Sequence, residues 1–288
     1  MNNILKIRLI TSFILIIFIV GILFFFSLTE FAWSAWIICS LSFWEWRILA
    51  GLSSNFYKIC WIITCMLLSL FIMIIFVFNY PFDAVWLFNY SMHVAFVWWI
   101  IAFFLILFYP YSSIFWRNFS TIRLLFGILT IIPFLESVLI LRKYQYDIDF
   151  YIGAYRVLYI MVLVWSVDSG SYIFGRIFGY YKLVSKISPN KTWEGLLGGI
   201  LTSSIVCYLF YKNITLNIPP FTLLMCSLLA ILGSILGDLF ESMLKRIVKI
   251  KDSSNFIPGH GGLLDRMDSL FAAFPLFVYL MLLILNDI

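Results

Sequence analysis

Apolar runs of bilayer length recur along the whole of this 288-residue chain, and that repetition leaves it very few folds. A helix needs about 20 consecutive apolar residues to cross the hydrocarbon core, and any backbone placed there must satisfy its own hydrogen bonds. Such runs fall near residues 9–28, 31–44, 59–78, 85–108, 121–141, 151–174, 193–211, 221–240 and 270–285. The expectation is an all-α, polytopic integral membrane protein with about nine transmembrane helices, the second one short. Composition agrees: 64% of residues are hydrophobic and 11% charged, where soluble domains carry about a quarter charged residues. A disordered chain, a secreted disulfide scaffold and a basic nucleic-acid binder are excluded, so no nucleic-acid partner is expected.

Threading nine spans with the N-terminus in the cytoplasm puts 14 of the 19 basic residues inside. Only Arg142, Lys143 and Lys212 fall outside, while Arg123 and Arg156 stay within or beside spans, which satisfies the positive-inside rule. The first run follows Lys6 and Arg8 with no cleavage pattern after it, so it reads as an uncleaved span. With no targeting extension, a bacterial inner membrane is the expected location. The Trp, Tyr and Phe residues are expected mainly on lipid-facing and interfacial surfaces. Cys39, Cys60, Cys65, Cys207 and Cys226 lack metal-ligand spacing and read as small buried hydrophobes. His93, alone in the fourth run, reads as a helix–helix hydrogen-bonding group.

Two segments break the pattern of short connections, 175–192 and 241–269, and together they hold nine of the basic residues. Two spans separate them, so both lie on one membrane face. Anchoring to anionic lipid would explain their Lys and Arg but not their acids. Asp168 lies in the cytoplasmic half of the sixth run and Asp238 ends the eighth, where a carboxylate costs about 2.5–3.5 kcal/mol on insertion scales and persists only with a partner, a cavity or a metal. Asp265 and Asp268 share one helix face by their i, i+3 spacing, as do Asp238 and Glu241. The plainer reading of Asp265 and Asp268 is that they complement a helix N-terminus. Hard oxygen ligands without paired Cys or His suit Mg²⁺. Gly259, His260, Gly261 and Gly262 precede that helix and would let backbone N–H groups approach an anion; Ser188 to Thr192 form a similar lead-in. Small residues four apart, Gly175/Gly179, Gly195/Gly199 and Gly233/Gly237, allow the last helices to pack closely. The chain therefore divides into residues 1–115, lipid-facing helices with little chemistry, and a catalytic core at 116–288.

From Ser242-Met243-Leu244-Lys245-Arg246 through Lys251-Asp252 to Pro258-Gly259-His260-Gly261-Gly262-Leu263-Leu264-Asp265-Arg266-Met267-Asp268, the sequence resembles the signature of the phosphatidate cytidylyltransferases. Ser188-Pro189-Asn190-Lys191-Thr192-Trp193-Glu194-Gly195, Gly237 to Ser242 and the stretch from Asp168 to Gly179 extend the likeness, which covers about the last 120 residues. Ser169, Ser171 and Asn190 depart from the pattern, the last removing a positive charge. The resemblance implies transfer of CMP from CTP to phosphatidic acid within the lipid bilayer, from a site on the cytoplasmic side. It implies Asp238 and Asp265 as leading Mg²⁺ ligands, with Asp268, Glu241 and Asp168 as further ones. A second metal or a monovalent ion stays open. Asp238, Asp265, Asp268, Lys245 and Arg266 would be catalytic. Ser188, Lys191, Thr192, Arg246, Lys251, His260, Gly261 and Gly262 would contact the substrates' phosphates. The family also suggests a homodimer. Two other readings remain at this point: a cation-coupled transporter, which would show inverted repeats with matching acids, and another nucleotide-using lipid enzyme.

Overall fold

The computed structural model describes residues 3–78, 85–254, 256–257 and 261–285. Among the described residues nine α-helices run α1 (Asn3–Phe25), α2 (Leu28–Leu49), α3 (Asn55–Phe78), α4 (Val85–Leu107), α5 (Ser120–Lys143), α6 (Phe150–Phe178), α7 (Trp193–Asn213), α8 (Pro220–Val248) and α9 (Leu264–Leu285). Seven of them, α3 to α9, are long and apolar enough to cross a membrane. The apolar stretch of α1 is described as Thr11–Phe25, and α2 carries Glu30, Glu45 and Arg47. The expected short second span is thus a helix of 22 residues. It begins at a capping box in which Ser27 and Glu30 satisfy each other's backbone N–H groups, a start signal the apolar pattern does not contain.

The two long polar segments are shorter than the sequence suggested, because α6 and α8 each continue for 29 residues. At 1.5 Å per residue such a helix is about 43 Å long, well beyond the roughly 30 Å of a hydrocarbon core. The extra turns of both emerge at the same end of the bundle, where α7 and α9 begin. Between α6 and α7 lies an antiparallel hairpin, β1 (Lys182–Val184) and β2 (Ser188–Thr192), the one sheet among the described residues. Thr192 closes it by accepting the Gly195 N–H at 3.1 Å, which caps α7.

The glycine pairs lie in helix contacts. Gly195 sits over Ser171 and Gly175 of α6, and Gly199 over Val167 and Ser171. On α8, a Cβ at Gly237 would stand 2.3 Å from the Asp268 carbonyl oxygen, and backbone cannot yield as a side chain can. Gly237→Ala is therefore expected to wedge α8 from α9 at a cost of about 1–3 kcal/mol, read as a lower melting temperature in detergent. Gly21→Ala, whose Cβ would meet nothing within 4 Å, is the matched control and should not shift it.

One hydrophobic core runs from Ile22 on α1 to Met281 on α9. The expectation that aromatic residues belong mainly to lipid-facing and interfacial surfaces fits the described residues, where exposed rings such as Trp33, Trp44, Phe104 and Tyr208 outnumber buried ones, but it has clear exceptions. Trp46, Trp61, Trp98, Trp99 and Trp116 are buried, and Trp98, Trp99 and Phe126 pack on Phe240 of α8. Their indole N–H groups explain part of this: Trp46 donates to the Arg123 carbonyl at 2.8 Å and Trp98 to Thr130 at 3.2 Å. Cys39, Cys65, Cys207 and Cys226 are buried as expected; Cys60 is exposed, on the outer face of α3.

Candidate active site

Asp168 and Asp238 each stand eighteen residues beyond the first residue of their helices, α6 and α8, so the two carboxylates reach the same depth. The antiparallel α9 brings Asp265 and Asp268 to that level in its opening turns. All four line one cavity of about 330 Å³, with Asn190, Lys191 and Thr192 from the hairpin, Ser171 and Tyr172 from α6, and Arg266. The two polar segments do meet: Lys191 Nζ lies 2.5 Å from Asp238 Oδ2, and Arg246 Nε donates to the Ile187 carbonyl at 3.0 Å.

The acids fall into two groups. Asp168, Asp238 and Asp268 act on one another electrostatically across the cavity. Asp238 is balanced by Lys191, with both side chains a little over a quarter exposed. Asp265 also reaches the wall, but its oxygens are already engaged. Lys245 Nζ donates to Oδ1 at 2.8 Å, while the backbone N–H groups of Ser253 and Gly262 donate to Oδ2 at 2.9 and 2.8 Å. Glu241 lies behind the wall, 3% exposed, with Lys245 3.3 Å from Oε1. Asp265, Lys245 and Glu241 thus form a buried ionic cluster that fixes the start of α9 to α8.

The remaining expected residues are placed as follows. Lys245 serves this cluster rather than the cavity wall. Arg246 ties α8 to the hairpin, and Ser188 pairs with Val184 in the hairpin register. Lys251 is exposed and is not among the cavity's lining residues. The Gly262 N–H, expected to meet an anion, is taken up by Asp265. Gly261 has φ +87, in the left-handed region that favours glycine, and its carbonyl accepts from Ile257 N at 2.8 Å. His260 lies outside the described residues.

One acid that sequence reasoning passed over is Glu45, in the half of the chain expected to hold little chemistry. It is 1% exposed and reaches from α2 to the segment before α9. The signal was present: Glu45 interrupts an apolar run, the same observation that singled out Asp168 and Asp238.

Four carboxylates and two cations, Lys191 and Arg266, line the cavity, and with Asp265 neutralised by Lys245 the acids still outnumber them. Among the described residues no three His, Cys, Asp or Glu side chains converge as a ready metal cage. Mg²⁺ needs none, since it takes one or two carboxylates and fills its octahedron with water and substrate phosphate. The donor set Asp168, Asp238 and Asp268 therefore fits that ion.

Residues 6–284 match the sequence profile of the Cytidylyltransferase family. Phosphatidate cytidylyltransferase of Haemophilus influenzae is 40% identical over 285 residues, covering 96% of this chain and 98% of that protein. Its Pseudomonas aeruginosa counterpart is 35% identical over 278 residues, 96% and 97% of the two chains. The Bacillus subtilis enzyme is 44% identical over a shorter match of 131 residues, 46% of this chain and 49% of that one. With the match running almost from end to end over a multi-pass helical bundle that carries a polar cavity at one end, the chain belongs to the cytidylyltransferase family.

Proposed function

We propose that this protein transfers CMP from CTP to phosphatidic acid, giving CDP-diacylglycerol and pyrophosphate. The observation that carries the reading is the acid-lined cavity, built by α6, α8, α9 and the hairpin at the end of a membrane-spanning bundle, in a chain alike throughout to enzymes named for that reaction. A phosphate monoester oxygen attacks the α-phosphorus of CTP; the new P–O bond forms as the bond to the β-phosphate oxygen breaks, and pyrophosphate leaves with that oxygen. A phosphate monoester has its second pKa near about 6, so the nucleophile is already largely dianionic at neutral pH. No strong general base is required of the protein, and none of the described lining residues is a His.

The barrier is mostly one of charge and alignment. Lys191 and Arg266 offer positive charge at the two sides of the cavity, and Asn190, Ser171 and Tyr172 offer polar groups for orienting substrate. Lys191 is held at Asp238 and needs only a side-chain rotation to meet a phosphate. Asp168, Asp238 and Asp268 would hold Mg²⁺, which when bound supplies charge neutralisation for the triphosphate and the departing pyrophosphate. Placing this end of the bundle on the cytoplasmic side of a bacterial inner membrane is supported by the basic residues concentrated there. CTP would then arrive from water and the lipid from within its leaflet.

Detergent-purified protein given phosphatidic acid and Mg²⁺ should form CDP-diacylglycerol with CTP at least about a hundredfold faster than it forms product with ATP, GTP or UTP, well inside the roughly 10⁴-fold discrimination a hydrogen-bonding site can reach. EDTA should remove the activity and added Mg²⁺ restore it, followed by pyrophosphate release. Equal turnover of all four nucleotides, or activity indifferent to EDTA, would count against the reading.

A further inference from the structure

The segment that delivers Asp265, Arg266 and Asp268 to the cavity is held from across the molecule by one carboxylate. Glu45 on α2 accepts Leu263 N–H at 3.0 Å and Ser254 Oγ–H at 2.5 Å through Oε1, and Leu264 N–H at 2.8 Å and Ser253 Oγ–H at 3.0 Å through Oε2. Both of its oxygens are thus spent on a stretch more than 200 residues away in sequence. Leu264 opens α9 and Leu263 immediately precedes it, where a helix start leaves backbone N–H groups unsatisfied and a side chain of the residue just before the helix commonly supplies the cap. Here the cap comes from a different helix. Ser253 carries the contact onward: its hydroxyl serves Glu45 while its backbone N–H serves Asp265. Gly262 is what admits the carboxylate, because a Cβ there would lie 1.9 Å from Ser253 Oγ and 2.7 Å from Glu45 Oε2.

We infer that Glu45 is a positioning residue for nucleotidyl transfer: it holds Ser253 and Ser254 together with Leu263 and Leu264 and, through Ser253, fixes the placement of Asp265 and of the cavity-lining Arg266 and Asp268 that follow it. The inference rests on the activity proposed above. A residue with this role touches no substrate, so its loss acts on the alignment reached in the transition state more than on nucleotide binding.

Two readouts test it, one of which needs no activity. In Glu45→Gln an amide NH₂ must face N–H and O–H donors, so backbone exchange at Leu263 and Leu264, followed by hydrogen–deuterium exchange mass spectrometry in detergent, should quicken by about tenfold or more, the size expected for losing hydrogen bonds to a charged acceptor. Turnover should fall about 10- to 100-fold while KM for CTP changes by less than about threefold. Ser254→Ala, which removes one donor and leaves the carboxylate in place, is the milder variant should Glu45→Gln purify poorly, and should quicken exchange at the same amides about three- to fivefold. Glu30→Gln, at the other end of α2, should change neither the exchange of residues 263–264 nor turnover. Unchanged exchange in both Glu45→Gln and Ser254→Ala overturns the latch. Faster exchange with undiminished turnover overturns the positioning role. A wild-type protein inactive with every nucleotide overturns the activity on which the role rests, and leaves the latch to be judged by exchange alone.

Discussion

Asp265→Ala is expected to lose at least about a thousandfold in CDP-diacylglycerol formation and, unusually for an active-site acid, to lose stability as well. Its carboxylate is the acceptor for Lys245 and for the N–H groups of Ser253 and Gly262. Each buried donor left without an acceptor costs about 1–3 kcal/mol, so the variant should melt several degrees below wild type in the same detergent. The protein should still insert, because Asp265 lies in the first turn of α9 and its loss leaves the apolar length of all seven long helices intact. Turnover follows stability downward because Arg266 and Asp268 ride on the turn that Asp265 anchors. An Asp265→Ala protein that retains turnover would remove this cluster from the account of the site.

Asp238→Asn should separate the two effects. Turnover is again expected to fall by about a thousandfold, since a carboxylate facing the cavity is lost where charge develops and where Mg²⁺ would be held. Stability should hardly change. The Lys191–Asp238 pair is more than a quarter exposed on both sides, and such pairs contribute about 0–1 kcal/mol. Freed of its partner, Lys191 remains available to phosphate, so CTP binding should survive better than chemistry. The signature is a fall in kcat with little change in KM or melting temperature, measured by pyrophosphate release and a thermal shift side by side. Parallel losses in Asp238→Asn and Asp265→Ala of both activity and stability would mean that the cavity acids and the buried cluster are not the distinct groups their surroundings suggest.

The parts of this protein that a sequence reveals are those with a period or a cost. Apolar runs located all nine helices, because a helix in lipid has no alternative to a long unbroken stretch. Asp168 and Asp238 stood out because a carboxylate is costly in such a stretch. The ends of helices were less visible. The last turns of α6 and α8 are polar and read as loop, although tertiary contacts, including Arg246 on Ile187, hold them helical. The division of labour among the acids was not legible at all. Asp265 and Asp238 look alike in one dimension, and only the fold shows one saturated by Lys245, Ser253 and Gly262 and the other facing a cavity. Glu45 was legible by the rule applied to the other intramembrane acids, yet its partners lie more than 200 residues away, and no local pattern names them. The buried tryptophans were exceptions for a related reason: residue type cannot tell a lipid-facing ring from one packed on Phe240.

The equal depth of Asp168 and Asp238 makes α6 and α8 a pair of rulers standing in the bilayer. Eighteen residues at 1.5 Å each is about 27 Å, so each carboxylate stands about one hydrocarbon thickness from the first residue of its helix. With those first residues at one membrane surface, a glycerophospholipid lying undisturbed in the opposite leaflet would carry its phosphate at the height of the carboxylates. Such a lipid would not need to be lifted out or drawn in to meet a nucleotide, and the work of extracting an acyl chain from its leaflet would not enter the reaction.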